Sequence, residues 1–199
     1  MRFYFIFSLL IFVKTYAQKT EKIIFQSANQ FAFSDIINNL ENQTEQEVFG
    51  KLTFPKDSIN LNKKIPLVIG VAGSLGWREH HYEYMKMFRQ SGFATFELNS
   101  FKSRNITSTV GSQVEVTTAS IILDAYKAFE KLSEHPNIDK NKVSITGWSL
   151  GGAVALFSGW KPIIKAISKD LKFASNLSFY PPCFLILKIQ NSQTLLYIF

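Results

Sequence analysis

The chain has 199 residues, 46% of them hydrophobic and 19% charged, with a formal net charge of +7. That is enough for one domain with a full core, and it excludes extended disorder. The positive surplus is mild and its lysines are scattered, so no basic stripe interleaved with aromatics points to a nucleic-acid partner.

Residues 1–20, MRFYFIFSLLIFVKTYAQKT, begin with Arg2, run apolar from Phe3 to Val13 and reach Thr15-Tyr16-Ala17 before Gln18. These are the parts of a secretory signal peptide, with small residues at the two positions that define cleavage, and the cut is placed after Ala17. An uncleaved interfacial anchor is the alternative, since Lys14 interrupts the transition. The apolar run is too short for a spanning helix, which needs ~20 residues, so no membrane span is expected once residues 1–17 are removed. The expected location is secreted or periplasmic. No cysteine near the cut suggests a lipid anchor. Cys183 stands alone in the sequence, so the fold must hold by its core rather than by disulfides.

The mature domain is expected to span 18–182. A strand is predicted at Lys22-Ile23-Ile24-Phe25, followed by a polar loop or short helix. The stretch from Glu47 to Phe54 alternates like a half-buried strand and stops at Pro55. Lys56 to Lys64 is a polar connection. Ile65-Pro66-Leu67-Val68-Ile69-Gly70-Val71-Ala72 is an unbroken apolar run, the pattern of a central strand buried on both faces. A glycine-rich corner, Gly73-Ser74-Leu75-Gly76-Trp77, leads to a helix over Arg78 to Gln90 that Ser91-Gly92 closes. Phe93 to Leu98 is the next strand, and a polar loop runs on to Gly111. From Glu115 to Ser133, apolar residues recur at helical spacing. Asp139 to Lys142 reads as a turn. Phe173 to Tyr180 reads as a last strand, ended by Pro181-Pro182. Strands alternating with helices imply an α/β domain: a mostly parallel sheet covered on both faces.

The chemistry centres on Val143-Ser144-Ile145-Thr146-Gly147-Trp148-Ser149-Leu150-Gly151-Gly152. A β-branched strand, a turn of the form G-x-S-x-G-G and an apolar helix start together make a nucleophile elbow, with Ser149 as the candidate nucleophile. Acyl transfer by a serine also needs donors aimed at the tetrahedral oxyanion. The backbone N–H of Leu150 is one candidate, and the Gly73-Ser74 corner offers the other. A glycine-rich turn with a capping serine is the plainer reading of the motif. The flanking strand and helix, and the second glycine corner upstream, favour the catalytic one.

A base is harder to find. In this arrangement the acid and histidine follow the serine in chain order, yet after Ser149 the sole acidic residue is Asp170 and no histidine occurs. His80, His81 and His135 all precede the elbow. His80 and His81 read as solvated or rim residues, His135 as the end of a helix, and Asp170 as half of a surface ion pair.

The segment from Val68 to Tyr180 resembles the dienelactone hydrolase family of α/β-hydrolases. The resemblance rests on Val71-Ala72-Gly73-Ser74, Ser91-Gly92-Phe93-Ala94-Thr95-Phe96, Asn99-Ser100-Phe101, Asp124-Ala125-Tyr126, Pro136-Asn137-Ile138-Asp139, Gly147-Trp148-Ser149-Leu150-Gly151-Gly152 and Phe179-Tyr180-Pro181. It implies an α/β-hydrolase fold and cleavage of a small-molecule carboxylic ester or lactone through an acyl-enzyme, with no metal or organic cofactor. Three departures stand out. Ala72 replaces the usual histidine of a His-Gly oxyanion motif, Asn99 stands where Asp is common, and Ser149 replaces the cysteine nucleophile of the type enzyme. The match also stops near Pro182. Residues 183–199, CFLILKIQNSQTLLYIF, lack the acid and histidine of a complete member and read as an atypical, frame-shifted tail, so the sheet is expected to miss its last strands. A catalytically inactive fragment, or a binding protein that kept the sheet, is the alternative to an esterase.

Overall fold

A computed structural model describes residues 18–56, 64–112, 114–168 and 170–182. The expected signal segment, the atypical tail and most of the Lys56 to Lys64 connection lie outside the described residues.

Six strands form one sheet in the order β1-β2-β4-β3-β5-β6, where β1 is Thr20–Ala28, β2 Glu45–Thr53, β3 Ile65–Val71, β4 Ala94–Leu98, β5 Ile138–Trp148 and β6 Asn176–Phe179. The β1/β2 and β2/β4 pairs are antiparallel. The β4, β3, β5 and β6 strands run parallel. Burial follows from this layout. In β2, Val48, Gly50 and Leu52 are buried while Glu47 and Lys51 face out, as the alternating pattern demands. In β4 all five residues are buried, and β3 is buried throughout except at Pro66. The sheet thus changes from one-sided to two-sided cover where it turns parallel.

Helices α1 (Phe33–Asn38), α2 (Glu79–Gln90), α3 (Thr118–Ser133), α4 (Leu150–Phe157) and α5 (Lys161–Ile167) complete the domain. Thr117 caps α3, its hydroxyl accepting the Ser120 N–H at 3.1 Å. Eleven of the sixteen residues of α3 are buried, Asp124 among them. Sequence reading did not anticipate α5.

Asp139 to Lys142, expected as a turn, lies within β5. The two readings meet in the register: Ile65 pairs with Ile138 and Leu67 with Val143, so three extra residues bulge from β5 between those pairs. The Asn141 N–H donates to the Asp139 carboxylate at 3.1 Å, a turn built into the strand.

Chain connections leave β3 for β4 on one side and return to β5 on the other. The carboxyl ends of β3 and β5 therefore flank the point where strand order reverses, and in open α/β sheets ligands bind in the crevice at such a point. Both glycine-bearing corners open there.

Candidate active site

The β5 strand ends at Trp148 and α4 begins at Leu150, so Ser149 alone makes the turn, at φ 53° and ψ −115°. An L-residue rarely takes a positive φ, and holding one there costs about 1–3 kcal/mol. The surroundings impose it. The Ser149 N–H donates to the Phe179 carbonyl at 3.0 Å, and the Ala153 N–H closes the first helical bond onto the Ser149 carbonyl at 3.0 Å. Trp148 is fully buried, stacked 5.7 Å from Phe179 at an interplanar angle of 4°.

The glycines of the elbow answer to close backbone approach. A Cβ on Gly147 would collide with the Gly151 carbonyl, and one on Gly151 with the Val71 carbonyl. A Cβ on Gly152 would lie 2.6 Å from the Phe179 carbonyl. Strand, helix and the neighbouring strands β3 and β6 therefore meet at backbone distance, which the sequence G-x-S-x-G-G permits and any side chain forbids.

The N–H groups of Leu150, Gly151 and Gly152 precede the first helical bond of α4 and lack a partner one turn back. Leu150 itself is buried. Opposite lies the Gly73 corner, where a Cβ on Gly73 would stand 3.6 Å from Ser149 Cβ and 3.2 Å from the Trp148 carbonyl. The corner's carbonyls are occupied elsewhere: Gly73 accepts the Gly76 N–H at 2.8 Å, and Ser74 accepts the Thr109 N–H at 2.9 Å. Gly76, at φ 73°, makes that tight closure. The structure brings Gly73, Ser149 and Leu150 together, with Ser74 next along the same corner.

The histidines are distributed otherwise than expected at one position. His81 is 3% exposed and lies 4.7 Å from the Trp148 ring, not at a solvated rim. Its Nδ1 accepts the Arg78 N–H at 3.1 Å, which ties down the start of α2. Burial, with neighbouring His80 and Arg78, lowers its pKa to about 4, so it stays neutral. His80 is exposed, and its Nε2 lies 3.5 Å from the Tyr180 hydroxyl. His135 follows α3, 3.4 Å from a Glu21 carboxylate oxygen. Asp170 is exposed before β6. Among the described residues, no group of three or more His, Cys, Asp or Glu could hold a metal ion.

A buried ion pair behind the site escaped the sequence reading. The Arg104 guanidinium binds Asp124 through two bonds, 2.8 Å and 3.1 Å, and also donates to Asn29 Oδ1 at 2.7 Å and the Ser100 carbonyl at 3.1 Å. Ser27 donates to the same carboxylate at 2.6 Å. A carboxylate in the middle of the apolar stretch Ile121 to Phe129 was the available signal, because a buried charge demands a partner.

A family model, acetyl xylan esterase (AXE1), matches residues 36–181. The chain belongs to that family. Its structural likeness is to α/β-hydrolases. The protein m3DLH aligns at TM-score 0.51 and 17% identity, covering 72% of this chain and 54% of that one. The hypothetical protein PA2218 from Pseudomonas aeruginosa aligns at TM-score 0.51 and 17% identity, over 74% of this chain and 40% of its own. A dienelactone hydrolase-like promiscuous phosphotriesterase, P91, from metagenomic libraries aligns at TM-score 0.46 and 18% identity, over 72% of this chain and 54% of its own. The family member thus spans about half the length of the first of these solved structures. No curated protein matches its sequence. The expected α/β-hydrolase fold is correct, and the dienelactone hydrolase resemblance holds at the level of that fold. Among the described residues no helix is long and apolar enough to cross a membrane.

Proposed function

We propose that this family member carries the nucleophile and oxyanion corner of a serine hydrolase that cleaves carboxylic esters or lactones. Ser149 Oγ attacks the carbonyl carbon, and the negative charge collects on the carbonyl oxygen between the Leu150 N–H and the Gly73-Ser74 corner. Collapse breaks the bond to the alcohol oxygen, which leaves as the alcohol with the proton given up by the Ser149 hydroxyl, and water then hydrolyses the acyl-enzyme to the carboxylic acid and free Ser149. The observation that carries this reading is the strained backbone of Ser149, at φ 53°, with Ser149 Cβ 3.6 Å from where a Cβ on Gly73 would stand. Strain held at a turn by tightly packed glycines is what presenting a nucleophile requires, and a plain capping serine requires none.

A second reading, a non-catalytic binding protein of the same fold, is favoured by one fact: among the described residues, His80, His81 and His135 pair with Tyr180, Arg78 and Glu21 rather than with Ser149. Without a base, turnover falls by several powers of ten while binding and oxyanion stabilisation persist. A burst assay with p-nitrophenyl acetate separates the two. An acetyl-enzyme burst that vanishes in Ser149→Ala supports the hydrolase, and wild-type release equal to Ser149→Ala supports the binder. Export is part of the same proposal. Mature protein beginning at Gln18 by amino-terminal sequencing would support a secreted or periplasmic enzyme.

A further inference from the structure

Beside the nucleophile, and not touching it, lies a cavity of about 170 Å³ at the carboxyl ends of β3 and β4. It is roofed by Leu75, Gly76 and Trp77 on one side and by the loop from Asn99 to Thr107 on the other, with Ile121 of α3 in its wall. Sites for drug-sized ligands run about 300–1,000 Å³. An apolar cavity of about 150 Å³ takes benzene. The occupant is therefore a single ring with at most one or two substituent atoms.

The lining selects among such rings. Trp77 and Phe101 contribute aromatic surface, and Trp77 is held in place: its Nε1–H donates to the Leu98 carbonyl at 2.8 Å and its ring stacks on Tyr82 at 5.5 Å and 22°. A wall whose ring is already ordered offers a stacking face at little entropic cost. Lys102 is the one charged residue of the lining among the described residues, and no carboxylate lines the cavity. A cationic ring would thus find no counter-charge there. Asn99 and Thr107 add neutral polar groups suited to a hydroxyl.

The position gives this cavity a role. Gly76 lines it, while Gly73, bonded to Gly76 at 2.8 Å, abuts Ser149. One glycine corner is the wall of both spaces. We propose that the cavity seats an aromatic ring of phenol size that bears no positive charge, carried by the ester on which Ser149 acts. Its role as a substrate group rests on the hydrolase reading, whereas ring binding does not.

Titration of the full chain with phenol, cyclohexanol and benzylamine, followed by ligand-observed NMR and tryptophan fluorescence, tests this. Phenol should bind most tightly and benzylamine, as its ammonium ion, least. Filling the space by Ile121→Trp, or at the exposed mouth by Leu75→Trp, should weaken phenol by at least about tenfold. Leu75→Trp carries the test if Ile121→Trp does not fold, because Leu75 is 53% exposed. Ser149→Ala should leave phenol binding unchanged, so an inert Ser149 would sink the hydrolase and spare the ring site. Equal binding of all three probes, no binding at millimolar concentration, or phenol binding indifferent to Leu75→Trp would overturn the proposal.

Discussion

Removing the Asp124 carboxylate should be among the most damaging single changes to this fold. Its side chain has no solvent exposure and that of Arg104 has 4%, so Asp124→Ala strands a guanidinium in the interior with neutral acceptors only. It also orphans the Ser27 hydroxyl, which now donates to the carboxylate at 2.6 Å. Breaking a buried pair from one side costs about 3–5 kcal/mol, a large share of the ~5–15 kcal/mol that typically stabilises a domain. Replacing both charges, Asp124→Leu with Arg104→Met, removes the stranded charge and should recover most of that loss. Urea unfolding followed by tryptophan fluorescence measures each term from the midpoint, given an unchanged slope. A loss below about 1 kcal/mol for Asp124→Ala, or a double variant as unstable as the two single losses added, would refute the view that the pair acts as one buried unit. The consequence reaches the site, because Arg104 anchors β1, α3 and the loop that roofs the cavity.

Three further outcomes follow from the elbow and its surroundings. Ser149→Gly should be more stable than Ser149→Ala by about 1 kcal/mol in thermal melts, since only glycine takes φ 53° without strain; equal melting would mean the turn is unstrained. Gly151→Ala, whose Cβ would meet the Val71 carbonyl, should lower stability by at least about 1–3 kcal/mol in urea, because backbone cannot swing aside as a side chain can. His81 has its pKa lowered to about 4 by burial, so the unfolded chain binds the proton first as pH drops. Its contribution is intact above about pH 6.5 and is lost progressively between there and about pH 4. The urea midpoint of His81→Gln should show a shallower fall across that window than wild type, and identical slopes would contradict the assignment.

The elbow was legible because everything it needs is local: a β-branched strand, glycines at 147, 151 and 152, and an apolar helix start within ten residues. The central strand β3 was equally plain, since burial on both faces removes polar alternation. Partners set by distant segments were not. Whether His81 faces water depends on Trp148, which lies 67 positions later in the chain. Asp124 gave a warning in its apolar helix, but nothing in the sequence names Arg104 as its partner. The Asp139 to Lys142 bulge reads as a turn because its residues are turn formers, and only pairing with β3 absorbs them into a strand. Helix α5 is seven residues with Pro162 near its start, too short for periodicity to register.

Ser149 is proposed as the nucleophile, and its reactivity can be measured. Incubation of the folded chain with a fluorophosphonate probe, followed by peptide mass spectrometry, tests it directly. A phosphonyl adduct is expected on the peptide bearing Ser149, and none in Ser149→Ala. A folded protein that stays unlabelled, or an adduct on another residue that persists in Ser149→Ala, would contradict it.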